Sequence, residues 1–237
     1  MTTARTALLI ADIGGYTEYM GTHRLTLAHA EVNTARMLQS IVRAARGFEL
    51  VEIEGDAAFL SRRTGSRDPE TTLTDILQVA VAMHRAFHRE REYVVQNLCP
   101  CGGCRQARDL TLKFVAHVGD VATQSIGGRS KLVGIDVILV HRLLKNPVAI
   151  PEYVLLTDDV YRRESPALPD TVGEISPDLE GIGSVHAYYV DVADLGGDGS
   201  DAPAPTLRSR LGSTFSAVGR GLPYMIGAKK PRRDRSG

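Results

Sequence analysis

Thr6-Ala7-Leu8-Leu9-Ile10-Ala11-Asp12-Ile13-Gly14-Gly15-Tyr16-Thr17 is the stretch on which the fold turns. It is apolar from Ala7 to Ala11, then carries one carboxylate, one more aliphatic residue and two glycines. A short apolar run bounded by glycine predicts a buried strand over Thr6 to Ile13 that ends at a turn. Asp12 at the end of such a strand is either a cap or a functional acid.

The periodicity on the C-terminal side is helical. Val32, Ala35, Leu38, Ile41 or Val42, and Ala45 recur every three or four residues, so roughly 25–46 is an amphipathic helix ended by Gly47. Phe48 to Ile53 and Ala57 to Arg62 read as two strands around Glu54-Gly55-Asp56, because Asp and Gly tolerate tight turns. A second helix follows at about 70–96, with Ile76, Val79, Val81 or Ala82, Met83 and Phe87 inward. Leu110 to Val118 alternates as a strand, with Val121 to Ile126 expected as its hairpin partner. Gly134 to Leu144 is a third helix, stopped by Asn146-Pro147; Tyr153 to Thr157 and Ala187 to Val190 are further strands. The order predicts an α+β fold: a ferredoxin-like, antiparallel-rich sheet with helices packed on one face.

The chain has 237 residues, and its 28 basic and 28 acidic side chains cancel. That excludes an overall polyanion binder, but the charge is segregated. Residues 206–237 hold eight basic residues and one acid, so the rest of the chain is equally acidic. Between them, residues 194–205 read as a flexible linker of Gly, Pro, Ser and Asp. The domain is therefore 1–193, and nucleic-acid binding is not expected. No apolar stretch approaches the ~18 residues of a membrane span, and no leader pattern opens the sequence. Together with three cysteines too close for a disulfide frame, this predicts a cytoplasmic protein.

Asp12 and Asp56 meet at one sheet edge if the strands beginning at Thr6 and Phe48 are neighbours. Two converging carboxylates suit Mg2+, a hard cation that keeps positions for phosphates; a turn residue and a cap are the plainer alternative. Here the sequence resembles a family. Ala11-Asp12-Ile13-Gly14-Gly15-Tyr16-Thr17 is similar to the F-x-D-I-x-G-F-T opening of class III nucleotidyl (adenylate/guanylate) cyclase catalytic domains. Glu52-Ile53-Glu54-Gly55-Asp56 resembles their K-x-x-G-D hairpin, and Gly134-Ile-Asp-Val-Ile-Leu-Val-His-Arg142 their G-x-x-V-N-x-A-x-R helix. The motifs stand in the family's order over roughly 6–157, in the manner of a divergent bacterial cyclase-like subgroup.

The resemblance implies a purine nucleoside triphosphate cyclase that forms a 3′,5′-cyclic nucleotide and pyrophosphate. It implies two Mg2+ or Mn2+ ions per site, held by Asp12, Asp56 and the Ile13 carbonyl. Gly14, Gly15, Tyr16 and Thr17 would lie by the phosphates, and Arg142 would neutralise charge on the phosphoryl group. It also implies a homodimer, with metal residues from one chain and base and transition-state residues from the other. Three positions depart from the pattern. Ile138 replaces the ribose-orienting asparagine, at a cost of about one to two orders of magnitude in rate. Glu52 replaces the base-contacting lysine, and Lys131 the adenine-selecting aspartate. Those swapped signs match guanine's N1 and N2 donors and O6 acceptor, so GTP is favoured over ATP. The same departures leave a second reading: a catalytically degenerate homodimer that binds a nucleotide or metal for signalling.

Cys99, Cys101 and Cys104 pack three thiols into six residues, within a loop at 98–106. That spacing suits Zn2+, with the fourth ligand missing locally: His88, His117, a partner chain or water could complete it. Reduced loop cysteines or a redox pair are the alternative. His88-Arg-Glu90 with Pro100-Cys101-Gly-Gly-Cys104 spells the written signature of zinc nucleobase deaminases, but His88 sits deep within a helix and the spacing fails. His84 and His88, at i and i+4, can ligate a metal from one helix face or be plain surface histidines. His141 can point toward phosphates. The tail at 206–237 combines a broken apolar stripe with basic residues, which fits an anionic membrane surface, a protein partner or a solvated disordered tail.

Overall fold

A computed structural model describes residues 3–22, 27–96, 102–127 and 129–196. In chain order the elements are β1 (Thr3–Gly14), α1 (Tyr16–Thr22), α2 (Leu27–Ala44), β2 (Glu49–Glu54), β3 (Ala57–Arg63) and α3 (Pro69–Val95). Then come α4 (Gly102–Gln106), β4 (Thr111–Ile126), β5 (Arg129–Val133), α5 (Ile135–Arg142) and β6 (Tyr153–Thr157). The series closes with β7 (Gly173–Ile175), β8 (Asp178–Leu179), β9 (Gly183–Ser184) and β10 (Ala187–Asp191).

The main sheet runs β2-β3-β1-β4-β6-β10-β7, with β5 paired to β4. β1 lies between antiparallel β3 and β4, and only the β4–β6 pair is parallel among these neighbours. Ala7, Leu9, Ala11 and Ile13 face one core with α2 and α3, where Met37, Ile41, Ile76 and Phe87 are buried. Leu8 and Ile10 face a second core with Val140 and Leu143 of the α5 region. Because both faces of β1 are covered, its sequence reads as a continuous apolar run. Each fully buried Leu or Ile contributes ~1.5–3 kcal/mol. The α+β class and the long helices on one face are as expected; α5 adds a short layer on the other. Asp68 starts α3, its Oδ2 accepting from the Thr71 N–H at 3.1 Å ahead of Pro69 in the first turn.

Two local expectations are corrected. The strand that begins after Phe48, β2, is not the neighbour of β1, since β3 lies between them. Val121 to Ile126 is not a hairpin partner of Leu110 to Val118: both belong to β4, whose register with β1 runs unbroken from Gly14↔Thr111 to Thr3↔Ala122. Gly119 is not a turn residue. It leaves room for Asp136, which a Cβ there would strike, and Asp136 Oδ2 accepts from the Asp120 N–H at 2.7 Å. The turn falls at Gly127 (φ +59°), and β5 is the partner. On α3, Val81 is the inward one of the two alternatives, packed partly buried against the core while Ala82 is exposed, and His84 joins the buried side as well. The linker residues 197–205 and the basic tail lie outside the described residues, as do Cys99 and Cys101. No helix among the described residues is long and apolar enough to cross a membrane.

Candidate functional site

Asp12 is the last acid of β1, opposite Ala57 on β3 and Lys113 on β4. Asp56 follows Gly55, whose φ of +63° makes the β2–β3 turn. The turn folds back onto β1, since the Ile13 N–H donates to the Asp56 carbonyl at 3.2 Å. The two carboxylates interact. Burial, and then the negative charge of Asp12, push the Asp56 carboxyl above its ordinary value. Lys113 relieves part of that charge, its Nζ lying 3.3 Å from Asp12 Oδ2. Tyr16 stands by the same group: burial and then the Asp56 and Glu31 charges raise its phenol. Gly14 and Gly15 are required by space and backbone. A Cβ on Gly14 would strike the Thr111 hydroxyl, and Gly15 has φ +80°. Two hard-oxygen side chains that repel one another fit a divalent cation, with Lys113 supplying a competing positive charge.

A separate cleft of about 710 Å³ opens between β2, β5, α5 and β8. Glu52 and Lys131 both line it, with Phe59, Ile138, Arg142 and Glu180. Arg142 Nη1 is buried and makes no hydrogen bond among the described residues. Such a donor is costly unless an acceptor reaches it. Ile138 is 48% exposed and presents only carbon. The cleft's acids (Glu52, Glu54, Asp178 and Glu180) outnumber its cations Lys131, Arg142 and Lys145. His141 also lines the cleft and is engaged within it: its Nδ1 contacts the Val137 carbonyl at 2.7 Å and its Nε2 lies 3.0 Å from Glu54 Oε1. Phe59 meets its ring edge-on at 4.8 Å.

The residues singled out from sequence thus fall into two groups. Asp12, Ile13, Gly14, Gly15, Tyr16, Thr17 and Asp56 gather where β1 passes into α1. Glu52, Lys131, Ile138 and Arg142 gather in the cleft, and neither Asp12 nor Asp56 lines it. Cys104 lies on α4, fully buried, with its Sγ 3.7 Å from Asn33 Nδ2. His88 and His117, considered as its co-ligands, point elsewhere. His88 meets Glu152 at 2.8 Å, and His117 Nδ1 lies 2.8 Å from Thr157 Oγ1. Lys113, Glu54, Asp178 and Glu180 were missed in the sequence. Only the Lys113 partnership had a signal, its inclusion in a strand able to pair with β1, and it needed the register to be useful.

A family model described as "Protein of unknown function (DUF2652)" matches residues 34–153. The Mycobacterium tuberculosis protein "Uncharacterized protein Rv2561/Rv2562" is 36% identical over 201 residues, covering 83% of this chain and 90% of that one. Among solved structures, the guanylate cyclase domain of RhGC from Catenaria anguillulae, in complex with GTP, aligns with TM-score 0.59 and 14% identity over 80% of this chain and 98% of that one. The adenylyl cyclase CyaB from P. aeruginosa gives 0.58 and 16% over 81% and 97%. A class III adenylyl cyclase-like ATP-binding protein from Pseudomonas aeruginosa gives 0.54 and 18% over 67% and 34%. At these identities the structural likenesses establish a class III cyclase-like fold.

Proposed function

The chain belongs to the DUF2652 family, and from that footing we propose that it is a homodimer that binds a purine nucleoside triphosphate between its two copies and cyclises it, GTP before ATP. The observation that carries this reading is the placing of Asp56 beside Asp12: Asp12 opposes Ala57 in the β1–β3 register, and the Ile13 N–H donates to the Asp56 carbonyl at 3.2 Å. Neither carboxylate lines the cleft that holds Glu52, Lys131 and Arg142. A complete site would therefore take the carboxylates from one copy and the cleft from the other. The large hydrophobic side chains exposed among the described residues, Leu50, Ile53, Ile135 and Ile138, lie on β2 and α5, beside the cleft. A second copy would cover them.

In this reading Asp12, Asp56 and the Ile13 carbonyl would hold two Mg2+ or Mn2+ ions. When bound, these supply Lewis acidity at the 3′-hydroxyl and the triphosphate. Glu52 would accept from guanine N1 and N2, and Lys131 would donate to O6. The substrate's 3′-oxygen forms a bond to the α-phosphorus as the bond to the bridging oxygen breaks, pyrophosphate leaves with that electron pair, and the hydroxyl proton passes to solvent. Arg142, whose buried Nη1 has no hydrogen-bond partner among the described residues, would stabilise the negative charge on the α-phosphoryl oxygens.

A second reading, binding without turnover, is favoured by the exposed aliphatic side chain of Ile138 and by the acid excess of the cleft. Purified protein with Mn2+ and either GTP or ATP separates them. Cyclic product and pyrophosphate support the enzyme, nucleotide bound but unchanged supports the module, and no binding of either nucleotide overturns the enzyme and the nucleotide-binding form of the module.

A further inference from the structure

We infer that His84, His88 and Glu152 form a binding site for one transition-metal cation, Zn2+ by preference, on the α3 side of the sheet. Their ligating atoms all lie within 4.8 Å of one another. His84 Nε2 lies 2.9 Å from Glu152 Oε2, and His88 Nε2 lies 3.0 Å from the same oxygen and 2.8 Å from Oε1. The two Nε2 atoms are themselves 2.9 Å apart.

With Glu152 ionised, protons alone do not satisfy this triangle. If both Nε2 atoms carry hydrogen, each can donate to the carboxylate, but two N–H groups then face each other at 2.9 Å. If one is bare, it accepts from the other histidine while its lone pair faces a carboxylate oxygen. A cation at the centre turns all three contacts into ligand–ligand edges. Tetrahedral ligands ~2.05 Å from zinc stand about 3.3 Å apart, so the groups need to open by only a few tenths of an ångström.

The supports of the site are stiff. His84 and His88 are one turn apart on the buried side of a long helix, His84 being 5% exposed. Glu152 is oriented by the Leu112 N–H, which donates to its Oε1 at 2.9 Å; such outer partners fix the ligands of metal sites. Phe87 packs edge-on against the His88 ring. Two imidazoles and one carboxylate select zinc over the hard cations suited to Asp12 and Asp56. The ion would leave one position to water and would tie α3 to the starts of β4 and β6.

The test uses the full chain carrying Cys99→Ser and Cys101→Ser, so that loop thiols do not contribute. After removal of metal and dialysis against Zn2+, this protein is expected to hold one zinc per chain. Glu152→Gln, which keeps an acceptor for Leu112, and separately His88→Gln, are expected to weaken binding by more than the 10- to 100-fold typical of losing an outer partner. Co2+ in place of zinc should give visible d–d bands without thiolate charge-transfer absorption, and Zn2+ should raise the melting temperature of the parent but not of Glu152→Gln. Zinc content unchanged in both variants, no metal uptake by the parent, or a thiolate band in the Co2+ spectrum would each overturn the assignment.

Discussion

The Lys113 ammonium joins two elements: it lies 3.3 Å from Asp12 Oδ2 and donates to the Leu144 carbonyl at 3.0 Å. It therefore holds the segment that follows α5 to β4 while neutralising one of the two carboxylates that a divalent cation would need. Lys113→Met should remove the competitor and tighten Mn2+ binding by about tenfold, ~1.4 kcal/mol, with some loss of thermal stability. Titration of Mn2+ into both proteins, followed by calorimetry or electron spin resonance, checks this. Equal affinities would show that Lys113 does not compete for the site.

Asp12→Ala and Arg142→Ala should each be inactive alone and should complement when co-refolded. In a mixed dimer one of the two composite sites keeps the intact Asp12, Asp56 and Arg142. With random pairing about a quarter of wild-type cyclase activity should return, as two-fold symmetry requires. Persistent inactivity of the mixture, with mixed dimers demonstrated by mass, would place the site within one chain.

Base choice should follow charge. Glu52 and Lys131 line the same cleft, so Glu52→Lys with Lys131→Asp should shift nucleotide preference from guanine toward adenine. A reversal of about tenfold or more is expected from exchanging two hydrogen-bonding partners. Competition binding with GTP and ATP reads the outcome, and an unchanged preference removes both residues from base recognition.

Gly119→Ala should destabilise the fold without touching either group of site residues. Its Cβ would meet the Asp136 carboxylate, and the Asp120 N–H would lose its acceptor as that side chain moves. A cost of about 1–3 kcal/mol is expected for such overpacking, seen as a lower midpoint in urea with an unchanged slope. A midpoint within error of wild type would mean that Asp136 relaxes freely.

Local pattern carried much of the fold. The apolar run at Ala7 to Ala11, the helical spacing from Val32 to Ala45 and the Glu54-Gly55-Asp56 turn each state their element in the sequence, because period and turn chemistry are short-range properties. Three ordered motifs extended that reading to the cyclase-like fold and to Asp12, Asp56, Glu52, Lys131 and Arg142 as candidates. The break at Gly119-Asp120 misled, since a glycine that opens space for a distant side chain looks the same in sequence as a glycine that turns the chain.

What the sequence by itself determined, then, was the set of elements and the residue types able to do chemistry. Only the tertiary structure decided which of them meet. Register opposes Lys113 to Asp12, and a loop preceding β6 delivers Glu152 to two histidines 64 and 68 residues earlier. Packing sends His141 to Glu54 and leaves Arg142 Nη1 without a hydrogen-bond partner among the described residues. These contacts depend on strand pairing between distant segments, where a slip of one residue would turn every side chain to the opposite face, and no local pattern encodes that choice.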